Sequence, residues 1–125
     1  MDERVRQALA NDRTIDITTT GRSTGLPRRI ETWVYRVDEQ IYLTGSPGRR
    51  DWYANLLANP EFTFHLKQSV TADLPARATP IIDSEQKRAI FERILSDLGE
   101  PQNLEAWLAD SPLMAIDFNG PSEEE

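Results

Sequence analysis

Cysteine is absent from this 125-residue chain, histidine occurs once, and positive charge is outweighed. Without cysteine there is no disulfide framework, no thiolate metal site and no Cys nucleophile. A single histidine excludes His clusters for zinc or iron and makes a Ser-His-Asp hydrolase a poor fit. With 14 Lys and Arg against 21 Asp and Glu, the net charge is −7. That argues against general nucleic-acid binding, which needs a positive surface. No apolar run is long enough for a transmembrane segment. The first residues, MDERVRQALANDR, are charged and helical in character and lack the apolar h-region of a signal peptide, so a cytoplasmic protein is expected.

What is there suffices for one core. Hydrophobic residues make up 38% of the chain, and its length fits one domain. We expect that domain over residues 1–120 and a disordered acidic tail, 121–125.

The charge is unevenly spread. Residues 83–125 sum to −8, whereas residues 22–50 sum to +3 through Arg22, Arg28, Arg29, Arg36, Arg49 and Arg50. A short basic island in an acidic protein suits a small anionic ligand.

Periodicity predicts a helix over Asp2–Asn11, then a strand, Thr14–Thr20, rich in β-branched residues. The loop GRSTGLP leads to a strand over Arg28–Val37, and Asp38-Glu39-Gln40 to a third over Ile41–Thr44, together a β-meander. After the loop GSPGR comes a helix, Asp51–Asn59, stopped by Pro60. A strand over Glu61–Gln68 and a longer one over Val70–Ile82 follow. Pro75 and Pro80 predict that the latter is an edge strand or carries a bulge. Asp83 caps a helix running to Leu98, with Gly99 at its end. Asn103 caps a short helix, Leu104–Ala109, and Leu113–Phe118 is the last strand. The expected fold is α+β: six mostly antiparallel strands in a barrel-like domain with peripheral helices.

Two loops carry the candidate chemistry. In Gly21-Arg22-Ser23-Thr24-Gly25 the glycines permit positive φ and close approach, and successive N–H groups form an anion nest. Arg28 and Arg29 are neighbours on a strand, so only one of them faces any given site. Ser46-Pro47-Gly48-Arg49-Arg50 places hydroxyl, amide and guanidinium groups before the N-terminus of the Asp51 helix, where anions are favoured. Trp33 and Trp52 are candidate walls for a flat ring, although Trp52 in a helix also reads as core. Strand alternation sends His65 away from Phe62, Phe64 and Leu66 toward solvent, so it is taken as a rim residue. No converging carboxylate pair, dinucleotide fingerprint or phosphate-binding loop motif is present.

Taken together, TTTGRSTGLPRR and DWYANLLANP resemble the deazaflavin-dependent nitroreductase family, split β-barrel flavin and deazaflavin oxidoreductases akin to pyridoxamine-phosphate-oxidase domains. The matching positions are Thr19, Thr20, Gly21, Arg22, Thr24, Gly25, Pro27 and Arg28, then Trp52, Tyr53, Asn55, Leu56, Ala58, Asn59 and Pro60. The resemblance implies a split barrel that binds coenzyme F(420), whose reduced form gives a hydride to a quinone, nitroaromatic or other electron-poor small molecule. It implies phosphate contacts at Arg22, Ser23 and Thr24, next to Gly25 and Pro27, with Arg28 as a second cation. Thr44, Gly45 and Ser46 would lie along the deazaflavin ring, with Trp52 beside it. Ser23 stands where many relatives carry Lys or Arg, and Pro47 where Lys is common; Arg49 and Arg50 are the expected replacements. The resemblance implies no catalytic residue of the protein's own; Ser46 and Tyr53 are candidate rim hydroxyls for the proton. The alternatives are an FMN-binding flavoreductase or a non-catalytic cofactor- or tetrapyrrole-binding protein on the same fold, monomeric or homodimeric.

Overall fold

A computed structural model describes residues 2–118, so the expected tail at 121–125 and the domain end at 120 lie outside the described residues. Helix α1 (Glu3–Asn11) opens the chain, its first turn capped by Asp2, whose carboxylate accepts from Arg4 N at 2.6 Å. There follow β1 (Thr14–Thr20), β2 (Pro27–Trp33), β3 (Tyr35–Val37), β4 (Gln40–Thr44), α2 (Asp51–Ala58), β5 (Glu61–Leu66) and β6 (Ala72–Pro80). Helix α3 (Ser84–Leu98), a 3₁₀ turn at Pro101–Asn103, α4 (Leu104–Asp110) and β7 (Leu113–Phe118) complete the chain. Among the described residues no helix is long and apolar enough to cross a membrane.

All strand pairs are antiparallel, and the sheet order is β2-β1-β5-β6-β7-β4-β3. Its two outer strands are joined through one residue, Val34, fully buried, whose N–H bonds to the Arg13 carbonyl at 2.9 Å. The sheet therefore curls until its ends meet in the chain, which makes an α+β split β-barrel. The expected strand over Arg28–Val37 breaks at Val34, which gives seven strands rather than six. It also overturns the meander: β2 pairs with β1, β3 pairs with β4, and the two halves serve opposite ends of the sheet.

The expectation for Pro75 and Pro80 is corrected too. β6 is central in the order, between β5 and β7. Among the described residues, Ala76 and Arg77 are the ones paired on both sides; Pro75 is paired with β5, and Pro80 with β7. Proline is tolerated within a sheet where one side of the strand has no ladder to donate to, as on the β5 side of Pro80.

Two apolar clusters hold the barrel. Inside it, Ile15, Ile17, Val34, Leu43, Phe64, Leu66 and Met114 pack with Trp52 and Leu56 of α2. On the other face, α3 and α4 bring Ile90, Phe91, Ile94, Leu95 and Trp107 against Tyr42 and Leu113. β4 is accordingly buried on both faces, with Leu43 in one cluster and Tyr42 in the other. Helix α3 begins as expected, with the Asp83 carboxylate accepting from Gln86 N at 2.9 Å. It ends at Gly99, φ 76°, as a left-handed cap. Asn103 does not cap α4 through its side chain, which bonds to Glu100 at 3.1 Å; the 3₁₀ turn leads the chain into the helix instead.

Candidate functional site

The β1–β2 register places Thr20 and Pro27 beside the loop 21–26, and Thr14 and Trp33 at the far end of the same ladder. Gly21 closes the loop by donating to the Leu26 carbonyl at 2.8 Å and accepting from Gly25 N at 2.9 Å. Thr24 Oγ1 accepts from Leu26 N at 3.1 Å, and Gly25 takes φ 71°. Thr24 is thereby used in shaping the loop, while Ser23 is exposed at its tip.

Arg22 ties this loop to the second motif. Its backbone N–H and its guanidinium both donate to Asn55 Oδ1, at 3.0 and 2.9 Å. Asn55 is buried and donates through Nδ2 to Thr19 Oγ1 at 3.3 Å. A buried amide with three such bonds is a rigid clamp, because leaving any of them unmade in the interior is costly. The Arg22 guanidinium also meets Asp51 at 3.4 Å, with both side chains largely exposed. Pairs of that kind are worth about 0–1 kcal/mol, so an incoming anion displaces Asp51 cheaply.

Around the second loop, Arg50 turns back on its own backbone, donating to the carbonyls of Ser46 at 2.9 Å, Gly48 at 3.1 Å and Arg49 at 3.4 Å. A Cβ at Gly45 would stand 2.7 Å from that guanidinium, so the approach needs a glycine or a shifted Arg50. Gly48 N–H bonds to the Asp110 carbonyl at 3.1 Å, and the buried Thr44 donates through Oγ1 to the Pro112 carbonyl. These bonds dock the loop on the α4–β7 connection. Arg49 is exposed, and its side chain has no bonding partner among the described residues.

The result is a cleft of about 710 Å³ lined on one side by Arg22, Arg49, Arg50 and Tyr53 and on the other by residues 109–112. The N-terminus of α2 has no side-chain cap, so its dipole is open to an anion. Arg28 pairs with Thr19 in the ladder and so lies on the same sheet face as the clamp. Arg29 lies on the other face and bonds to Asp16 at 3.0 Å.

Several expected residues lie elsewhere. Trp52 is buried in the barrel core, edge-on to Tyr53. Trp33 does not wall the cleft: it stands about half exposed at the far end of β2, under the Arg13 guanidinium. His65 is not a rim residue. It points outward as alternation demands, but only 6% of it is exposed, because Thr18 and Asp73 close over both ring nitrogens at 2.7 Å. Asn55 stood out in the sequence only as a position of the second motif, with no sign of its bonds to Arg22 and Thr19. The wall at 109–112 carried no signal in the sequence.

The residues present fit an anionic cofactor: the unpaired Arg49 side chain, an uncapped helix start, a glycine approach, and a buried Ser111 hydroxyl in the cleft wall without a hydrogen-bond partner among the described residues. Solved structures agree on the fold. The chain is similar to an FAD-binding protein from Mesorhizobium loti (TM-score 0.71, 14% identity, 96% of this chain and 91% of that one). It is also similar to a protein described as a pyridoxamine 5'-phosphate oxidase from Listeria innocua (0.68, 12%, 94% and 93%). A third is described as a 5-nitroimidazole antibiotic resistance protein from Bacteroides thetaiotaomicron (0.67, 16%, 96% and 81%). The fold is thus the split β-barrel shared with these structures. The profile of the F(420)H(2)-dependent quinone reductase family matches residues 3–102, and the chain belongs to that family.

Proposed function

We propose that this protein binds reduced coenzyme F(420) in the Arg22–Arg49 cleft and passes a hydride to an electron-poor small molecule such as a quinone. The carrying observation is that the two sequence motifs meet there: Asn55 of the second clamps Arg22 of the first at the open start of α2. Arg22 and Arg28 supply charge for the phosphate, helped by Ser23, Thr24 and the backbone around Gly25 and Pro27. Thr44, Gly45 and Ser46 offer backbone to the ring, and Trp52 stiffens the helix from below. Arg49 is the free cation for the anionic tail, and Arg50 holds the loop that presents it.

When bound, reduced F(420) supplies the hydride. The chain's part is to orient it, exclude water and hold a proton at the Tyr53 or Ser46 hydroxyl on the rim. The acceptor then docks between that rim and the wall at 109–112.

Fluorescence titration with F(420) and with FMN, side by side, tests the reading. Micromolar or tighter binding of F(420), weakened in Arg22→Ala, is expected. Binding of FMN alone would mean a flavoreductase instead. Affinity for F(420) unchanged in Arg22→Ala would remove the phosphate site.

A further inference from the structure

On the sheet face opposite Thr19, β1, β5 and β6 bring together the chain's lone histidine, a hydroxyl and a carboxylate. His65 Nδ1 lies 2.7 Å from Asp73 Oδ1, and Nε2 lies 2.7 Å from Thr18 Oγ1. The tautomer follows from the partners. A carboxylate only accepts, so Nδ1 carries the proton, and Nε2 presents its lone pair to the Thr18 hydroxyl, which donates. The bond to His65 holds the Asp73 carboxyl below its ordinary value, in keeping with an ionised partner. Asp16, opposite His65 in the ladder, is neutralised by Lys67 at 2.6 Å and Arg29 at 3.0 Å. A depression of about 700 Å³ opens over these groups, lined also by Thr20, Thr63 and Pro75. Thr63 stands directly across the ladder from Thr18, and neither the Thr20 nor the Thr63 side chain bonds to another described residue. A hydroxyl held by a base, a base held by an acid, and free hydroxyl donors beside them are the parts of a nucleophilic centre.

We propose that Thr18, His65 and Asp73 form a second catalytic centre that hydrolyses small activated esters independently of F(420). In acylation, Thr18 Oγ bonds to the carbonyl carbon, its proton moves to His65 Nε2, and the C–O bond to the leaving alcohol breaks as that proton passes to the leaving oxygen. Thr63 and Thr20 donate to the carbonyl oxygen. In deacylation, water adds to the acyl carbon through His65 Nε2, the acid departs, and Thr18 regains its proton. Only water is consumed. Thr18 and His65 are catalytic; Asp73 is a positioning residue.

The test is p-nitrophenyl acetate with the purified chain and no F(420). Expected are steady release of p-nitrophenolate and an acetyl group on the Thr18 peptide that hydroxylamine removes. Thr18→Val, which keeps the branched shape, and His65→Gln lower the rate about 100-fold, the scale of a lost general base. Asp73→Asn lowers kcat and leaves KM, and Asp73→Glu restores part of it. Acetyl groups found only on amines, or a His65→Gln rate equal to that of the unaltered chain, would overturn the proposal. The adduct measurement needs no variant to fold.

Discussion

The two basic loops look alike in sequence, each with two glycines, a serine and at least one arginine, yet they use their charge in opposite ways. In the loop 21–26, Arg22 reaches across to Asn55 and keeps part of its guanidinium toward solvent. In the loop 45–50, Arg50 spends its donors on its own loop carbonyls, and only Arg49 stays unengaged among the described residues. A charge count along the chain therefore overstates what a ligand can meet. One arginine binds outward, one is scaffold, and the difference is set by which carbonyls lack donors after the chain folds.

Five substitutions test that contrast, from strong to weak. Asn55→Ala should cost about 3 kcal/mol of unfolding free energy in denaturant titration, because the Arg22 N–H and the Thr19 hydroxyl lose a buried partner. It should loosen F(420) as well; a stable Asn55→Ala variant would show that no clamp exists. Arg22→Ala should weaken F(420) by about 2 kcal/mol, near 30-fold in Kd, with the protein still folded. For Arg50→Ala the loss should be about 1 kcal/mol, arising through a loosened loop. Equal losses for Arg22 and Arg50, compared by equilibrium titration, would erase the distinction drawn between them. Asp51→Asn should tighten the cofactor by about 0.5 kcal/mol at low salt, since its carboxylate competes for Arg22; weaker binding would place the anion elsewhere. Gly45→Ala should change stability by no more than about 0.5 kcal/mol, as the added Cβ meets only the flexible end of Arg50. A large drop in thermal midpoint there would mean that Arg50 cannot move.

Much of the fold was legible because its signals are local. Asp83 and Gly99 mark the ends of α3, and the alternation of Phe62, Phe64 and Leu66 marks β5 with its inward face. The loop Gly21–Gly25 announced itself by residues that few other conformations need. His65 was assigned the correct side of its strand and the wrong environment, since its cover comes from β1 and β6, distant in the chain. Likewise, alternation showed that Arg28 and Arg29 part ways, but only the packing of α2 over Thr19 set which of them shares the face of the Asn55 clamp.

Composition and spacing by themselves determined an α+β barrel-like fold without thiol chemistry, with its positive charge gathered beside two glycine loops. Tertiary structure decided the rest. It broke one strand at Val34 to join the sheet's ends, placed the proline-bearing β6 in the middle of the sheet, and brought Asn55 to Arg22. The physical reason is that strand periodicity records which face a residue takes, whereas hydrogen-bond partners and strand neighbours are long-range choices, settled when all buried donors and acceptors must be satisfied at once.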